Sequence, residues 1–350
     1  MAIYERFKTE ADDPQNPDVV AGIRDILSSG MWSGGSGTLN SFFTSSTQSG
    51  STGAYYYDVY KTNPQTDSTA EVQFSVAYGH VEGSGSIGGR GVVGNRATAA
   101  IYSQFSNILL GPGEDKFKFG GDVVPNDSYF ITLQRARLRE KMDPGNWELH
   151  LSGSIMGLKG AEGVIKLIDD SGATTNPKVN QGGRVFNIVS GSIAGGTATI
   201  KSSAATQTGG GYGLFYPDLG IIILNGPVLN TSASLQAQSG SNAEAGNVGR
   251  FYNAIRRGNK FQARREEVVT SQHFFVRAPN QEFNFSSNPT FATASDGSFT
   301  IGSYYKNPKT FITQVGLYND ANELLAVAKL SKPLLKSFSR EALIKVKLDF

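Results

Sequence analysis

Three histidines are the first residues to test for acid–base or metal chemistry, and they lie far apart at His80, His150 and His273. None stands in a spacing such as HExxH, which places two imidazoles on one helix face around a zinc ion. His80 ends a predicted strand beside a glycine-rich loop, where a ligand or base is conceivable but an ordinary strand or loop residue is expected. His150 falls on the polar phase of a predicted strand, which predicts a solvent-facing side chain. His273 precedes two phenylalanines, which favours a packing role.

A GxGxxG pattern at Gly83, Gly85 and Gly88 could cradle a phosphate, because glycine lets backbone N–H groups approach an anion closely. Such a site needs a buried strand before the loop and a helix N-terminus after it. A strand is predicted before it, but no helix is predicted after it. With 42 glycines in 350 residues, the match is expected by chance. The second glycine run, at 208–213, fails the same test, so no phosphate site is predicted.

Carboxylate pairs occur at Asp12–Asp13, Asp169–Asp170 and Glu266–Glu267, in turns or beside charged runs. A glycosidase needs two carboxylates that converge on one cleft, and nothing in these spacings indicates such convergence. The basic run Arg256, Arg257, Lys260, Arg264 and Arg265 is followed directly by the two glutamates. A solvated or interface-pairing helix face is therefore favoured over nucleic-acid contact.

Composition excludes several further classes of site and partner. The net charge of +2 creates no strong field for a polyanion, and the absence of cysteine excludes disulfides and thiolate metal sites. Met1–Lys8 lacks a signal-peptide pattern, and the apolar run Leu219–Leu224 is far too short to span a bilayer. We therefore predict no catalytic residue, no cofactor, no metal, no nucleic-acid partner and no membrane insertion.

The elements that would position any site are mostly strands, since short apolar or alternating segments recur between Gly, Asn and Asp turns. This pattern predicts a mainly β chain with two β-rich, sandwich- or barrel-like domains, short helices and an extended N-terminal arm. The strands predicted are Ala70–Tyr78, Ser128–Leu133, Trp147–Leu151, Val164–Ile168, Arg184–Val189, Thr197–Ile200 and Leu219–Leu224.

Two short amphipathic helices are predicted as well. One spans 16–29, opened by Asn16-Pro17-Asp18 and ended by Gly30, and the other carries an apolar stripe over 248–255 and is closed by Gly258. The first helix and the Gly/Ser/Thr-rich stretch 33–53 are read as a docking helix and a linker or arm that packs on neighbours. The residues predicted to contact a partner are Val20, Ile23, Leu27, Trp32, Phe42 and Phe43.

Composition shifts predict three segments: the arm at 1–53, a β-rich domain at 54–238 and a C-terminal α+β domain at 239–350. In the last segment, Phe311–Tyr318 and Leu324–Leu330 flank an Asn/Asp turn and predict a β-hairpin. Val315, Leu317, Leu325 and Val327 are expected to face inward. Ala342–Phe350 alternates cleanly, which predicts a closing strand with Ala342, Ile344, Val346, Leu348 and Phe350 on one face.

The hairpin sequence FITQVGLYNDANELLAVAKL, at 311–330, resembles a hairpin of tail-fibre attachment and baseplate proteins of contractile-tailed bacteriophages. Residues 272–350 resemble the end of a virion structural protein of myoviruses related to those that infect cyanobacteria. Segments 70–80, 143–149 and 212–225 add to the likeness, though the last eighty residues are the most specific. The resemblance transfers no catalytic residue.

The resemblance implies a virion structural protein: a baseplate subunit, in the wedge or fibre-adaptor position, assembled in the host cytoplasm in several copies with other tail proteins. Three alternatives remain open. A neck component would share the virion location, a host-binding fibre or adhesin would bind cell-surface glycans, and a tail-associated hydrolase would need a converging carboxylate pair.

Overall fold

The structure is a computed structural model that describes residues 7–8, 18–45, 55–86, 96–120, 122–152, 164–174, 176–202, 210–233, 235, 246–285, 298–300 and 302–350. It is mainly β, which confirms the predicted fold class. The strands are β1 (Val19–Gly30), β2 (Thr38–Leu39), β3 (Tyr56–Tyr60), β4 (Val72–His80), β5 (Asp127–Leu133), β6 (Lys141–Met142), β7 (Glu148–Ser152), β8 (Val164–Asp169), β9 (Lys178–Asn180), β10 (Gly183–Ala194), β11 (Thr197–Ser202), β12 (Gly213–Tyr216), β13 (Ile221–Asn225), β14 (Phe261–Gln262), β15 (Arg264–Ala278), β16 (Lys309–Tyr318), β17 (Leu324–Ser337) and β18 (Ala342–Asp349). The helices are α1 (Ala97–Leu109), α2 (Arg135–Leu138), α3 (Gly226–Ser232) and α4 (Gly246–Gly258).

The chain divides into two compact units. The terminal unit holds residues 1–26 and 268–350, and the central unit holds residues 27–267. These bounds differ from the predicted divisions after residues 53 and 238, because the first and last segments of the chain share one unit and α4 belongs to the central one.

The central unit is built on one antiparallel sheet in the order β2-β14-β7-β8-β10-β12-β13-β5-β4-β3, with β9 and β11 attached to β10. One short segment borders both ends of this sheet. Leu39 in β2 pairs with Phe261 in β14, while Phe43, four residues on, pairs with Tyr60 in β3. The sheet is therefore curled around an interior, and 38–43 joins its two edges.

Helix α4 and the concave side of the sheet form the main core. Phe251 and Ile255 of α4 are buried with Trp32, Trp147 and Phe261. The predicted helical stripe and its end at Gly258 are thus confirmed. A Cβ at Gly258 would lie 2.1 Å from the backbone oxygen of His150, so only glycine fits at this close approach.

Helix α1 covers the opposite side of the sheet, with Tyr102 and Leu109 buried in a second core beside Phe117 and Phe130. Strand β13 is buried throughout its length because Ile222 and Leu224 point into the first core and Ile221 and Ile223 into the second. This explains its unbroken apolar run, since a strand covered on both faces needs no polar alternation.

The terminal unit contains the hairpin β16–β17 and most of the path β1-β15-β18 of a four-stranded sheet. The fourth strand, β6, pairs with residues 265 and 266 of β15 in the central unit. Strands β15 and β18 pair over eight residues, from Ser271 opposite Asp349 to Ala278 opposite Ala342. Ile344 and Val346 of β18 pack with Leu317 of the hairpin, so an apolar core lies between the sheet and the hairpin.

The helix predicted over 16–29 is wrong, because Val19–Gly30 forms strand β1 beside β15. Its β-branched residues suit a strand, and Gly22 has φ +76, outside the helical region. The apolar residues that are spaced as on a helix therefore lie along a long strand, whose backbone is irregular at Gly22. Residues 9–17, which include the predicted cap, lie outside the described chain.

Candidate interaction surface

The three histidines take separate places in the fold, at the end of β4, in β7 and in β15. No group of three or more His, Asp or Glu side chains that could hold a metal occurs in the part of the chain that the structure describes. His80 ends β4, and its Nδ1 accepts a hydrogen bond from Glu82 N at 3.0 Å. Burial lowers its pKa. His273 lies beside the ring of Phe275, 6.5 Å between centroids, as expected for a packing role.

His150 is not the solvent-facing residue that strand alternation predicts. Glu148, almost fully buried, accepts hydrogen bonds from His150 Nε2 at 2.5 Å and from Lys260 Nζ at 2.8 Å. Its other oxygen accepts the backbone N–H of Ile193 at 2.5 Å. Burial alone would raise the pKa of Glu148, but these donors lower it below its usual value. The cluster ties β7, β10 and the segment after α4 together, and both carboxylate oxygens of Glu148 accept hydrogen bonds.

The glycine pattern does precede a helix, contrary to the sequence-based prediction, because α1 begins at Ala97. Gly83 and Gly85 have positive φ values, while Gly88 lies outside the described residues. Arg96 packs over Gly83, since a Cβ there would be 2.3 Å from Arg96 Cβ. The side chain that crosses the loop thus occupies space that a phosphate cradle would leave open.

The described residues of the acidic and basic runs form hydrogen bonds and ion pairs within the fold. Asp169 accepts backbone N–H groups of Gly145 and Ser171, so it fixes a turn. Glu267 pairs with Arg139 and Arg265. Residues 12–13 lie outside the described chain. In the described residues, no helix is long and apolar enough to cross a membrane.

The six predicted contact residues separate into two groups. Trp32 and Phe42 are buried in the core of the central unit, so they are not exposed to a partner in this conformation. Val20 and Ile23 are half-buried in β1, whereas Leu27 and Phe43 are exposed. The low-complexity stretch is therefore no free arm over residues 33–45, and 46–54 lies outside the described residues.

The hairpin β16–β17 carries exposed apolar side chains that the sequence predicts to face the core. Leu317 faces Ala326 and Val315 faces Ala328, and these four residues belong to the core. The expected inward positions of Leu325 and Val327 are therefore wrong, and both are exposed, by 68% and 51%. Because neighbouring residues of LLAVAKL are both apolar, the sequence is compatible with either set of alternate residues facing the core. The pairing register with β16 determines which set does.

We call the exposed group near the hairpin tip the hairpin surface, defined by Tyr318, Leu324, Leu325 and Val327. Val327 lies opposite Gly316. A Cβ at Gly316 would be 2.9 Å from the Tyr318 ring and 3.2 Å from Leu324, so these two side chains lie over the glycine. The result is an apolar patch on the side of the hairpin that faces away from the core. On β17, Ala326 and Ala328 point inward while Leu325 and Val327 point outward, and a contiguous group of exposed apolar side chains is typical of a binding surface.

The turn that presents this surface is held by Asn319. Its Oδ1 accepts the backbone N–H groups of Ala321 at 3.0 Å and Glu323 at 2.8 Å, and its Nδ2 donates to the Glu323 carboxylate at 2.7 Å. Asn322 has φ +61, which asparagine tolerates better than most residues. The predicted hairpin and its Asn/Asp turn are thus confirmed.

We expect Asn319→Ala to destabilise the terminal unit by about 1–2 kcal/mol, because it removes the acceptor of two backbone N–H groups and a donor to Glu323. Chemical denaturation of the full chain measures this change. Asp320→Ala is the matched control, since the adjacent Asp320 side chain is exposed and should change stability by less than about 0.5 kcal/mol. Equal effects of the two variants would contradict the role of Asn319.

Comparison with known proteins gives no relative on which to base a function: no protein-family model, no curated protein and no solved structure matches the chain.

Proposed function

We propose that this chain is a structural subunit of a contractile bacteriophage tail, a baseplate component in the wedge or fibre-adaptor position, and that it acts through protein–protein contacts. The observation that carries the proposal is the hairpin surface. It lies within the sequence 311–330 that resembles baseplate and fibre-attachment hairpins, and its apolar side chains face away from the core.

Physical chemistry supports a binding role for this surface. Burying an apolar side chain contributes roughly 1.5–3 kcal/mol, so four such side chains left in water forgo a substantial gain in free energy. Aromatic and large aliphatic side chains are also the usual anchors of protein interfaces. Tyr318, leaning over a glycine, provides a flat apolar anchor on a rigid two-stranded support.

The partner that fits this surface is a neighbouring tail protein with a complementary apolar face. The polar residues of the same face, Gln314 and Lys329, would lie at the rim of such an interface. The proposed subunit has no catalytic residue and no cofactor. Its placement in several copies in the virion, assembled in the host cytoplasm, follows from the resemblance and is part of the proposal.

Val327→Lys tests the proposal, because it places a charge at the centre of the hairpin surface without touching the core. We expect the variant to fold with wild-type stability to within about 0.5 kcal/mol and to lose about 30-fold in affinity for the neighbouring tail protein. The measurement is co-purification and titration with tail proteins encoded beside this chain, followed by counting its incorporation into particles.

Ser331→Lys is the matched control, since it adds the same charge to an exposed position of the same strand outside the hairpin surface. It should bind and assemble as the wild type does. Normal incorporation of Val327→Lys would overturn the assignment of this surface. Incorporation into the neck rather than the baseplate would keep the virion role and reject the baseplate position.

A further inference from the structure

A polar groove of about 490 Å³ lies in the central unit, between the segment 40–44 and the C-terminal end of α4. Its volume is within the range of sites that bind small ligands, roughly 300–1,000 Å³. It shares no lining residue with the hairpin surface or with the Glu148 cluster. The lining residues used in the argument are Asn40, Phe43, Asn63, Asn253, Arg256 and Asn259.

The walls of the groove are held in place by backbone and side-chain hydrogen bonds. Tyr252 donates from its hydroxyl to the backbone oxygen of Phe42 at 2.9 Å, which fastens the segment 40–44 to α4. Phe43 exchanges two backbone hydrogen bonds with Tyr60, at 3.0 and 2.8 Å. On the far wall, Asn63 Oδ1 accepts the backbone N–H of Gln65 at 3.0 Å. The groove is therefore formed before any ligand arrives, which lowers the cost of binding.

The groove is lined by side chains that can bond a polar ligand. Five of the eleven lining residues carry carboxamides, and each carboxamide can both donate and accept hydrogen bonds. None of the described residues that line the groove carries a carboxylate, and Arg256 supplies its one charge. The Arg256 side chain is exposed at the groove, where its guanidinium can meet a ligand from solvent. The ring of Phe43, partly exposed, adds an apolar face.

We propose that this groove binds an anionic saccharide. The carboxylate of a uronic or sialic acid would pair with the guanidinium of Arg256, whose fork geometry matches a carboxylate. The carboxamides of Asn40, Asn253 and Asn259 would bond sugar hydroxyls, which also donate and accept. The exposed ring of Phe43 would support the C–H face of the pyranose.

Other polymers fit these residues less well. A nucleic acid needs several cations along its phosphates, whereas one arginine lines the groove and the net charge of the chain is only +2. An extended peptide needs an open strand edge, whereas Phe43 and Tyr60 already pair where the two edges of the sheet are joined. A polyhydroxylated ligand needs neither several cations nor an open strand edge.

Saturation-transfer NMR and calorimetric titration of the full chain test the proposal with D-glucuronate, N-acetylneuraminate, D-glucose and acetate as probes. We expect one of the acidic sugars to bind at millimolar concentrations or below, more tightly than glucose or acetate. Arg256→Gln should lower its affinity by about 10-fold or more, since it removes a charged hydrogen bond. Phe43→Ala should weaken both acidic and neutral sugars.

Arg257→Gln is the matched control, because this neighbouring arginine is exposed but does not line the groove, and it should bind as the wild type does. A chain that binds neither acidic sugar overturns the proposal. So does binding that Arg256→Gln leaves unchanged, or acetate binding as tight as that of the sugars, which would indicate a simple anion contact.

Discussion

Removing Ile344–Phe350 is expected to unfold the terminal unit while the central unit remains folded. The deletion takes most of β18 away from β15 and removes Ile344 and Val346 from the core beneath the hairpin. Each buried apolar side chain contributes roughly 1.5–3 kcal/mol, and a domain is stable by only about 5–15 kcal/mol. The loss of these contacts, of partly buried Leu348 and of the cross-strand hydrogen bonds should exceed what the unit can tolerate.

Differential scanning calorimetry of the full chain and of the truncated chain measures this effect. We expect the truncated protein to lose the part of the transition that comes from the terminal unit and to become sensitive to protease within 268–343. Deleting Phe350 alone is the matched control. Its side chain is 74% exposed, contrary to the inward position that alternation predicts, and its loss should change little. A truncated chain that retains the full cooperative transition would contradict the closing role of β18.

Asp127→Asn is expected to stabilise the protein by about 3 kcal/mol at neutral pH. Asp127 opens β5 and is buried against Gly226, with Oδ2 unpartnered among the described residues. Burial raises its pKa from 3.8 to about 6. Because one unit of pKa corresponds to 1.36 kcal/mol, keeping this carboxylate ionised in the folded state costs about 3 kcal/mol.

The sign of the pH dependence follows from the raised pKa. The protonated carboxyl is favoured in the folded state, so its contribution to stability is complete below pH 3.8 and is lost as the pH rises through about 6. Asparagine resembles the neutral form at every pH. We therefore expect the variant and the wild type to be equally stable near pH 3.5 and to diverge between about pH 4 and 6.

Thermal melts from pH 3.5 to 8 measure this divergence. At roughly 2–4 °C per kcal/mol for a unit of this size, the variant should melt about 6–12 °C higher at pH 7. Asp115→Asn, at an exposed position in the same unit, is the matched control and should melt as the wild type does at every pH. A constant difference between Asp127→Asn and the wild type across the pH range would contradict the ionised, buried carboxylate.

Many of the strands can be predicted from the sequence, because the alternation of apolar and polar residues and the turn residues that bound a strand are local features. The strands near 128–133, 147–151, 164–168 and 184–189 were predicted within a few residues, and so was α4. The sequence does not predict helix α1, because its buried residues include Thr98 and Ser106, which are not part of an apolar stripe. The apolar spacings of three and four in 16–29 predict a helix, but such spacings also occur in a strand with an irregularity at glycine.

The two candidate sites depend on contacts that no local pattern reveals. Whether Val327 or Ala328 faces the core depends on the register between β16 and β17, and both phases of the sequence are apolar. The polar groove brings Phe43 to Arg256 across more than two hundred residues. Similarly, His150 lies on the face of β7 that points away from the main core. The same face carries Glu148, which accepts hydrogen bonds from His150, from Lys260 and from the backbone of β10.

The most direct test of the proposed function is cryo-electron microscopy of tailed particles produced from the genome that encodes this chain. The proposal predicts density for the chain in the baseplate, with Tyr318, Leu324, Leu325 and Val327 covered by a neighbouring tail protein. Density in which these side chains face solvent would contradict the assignment of the hairpin surface. Absence of the chain from the particles would contradict the structural role itself.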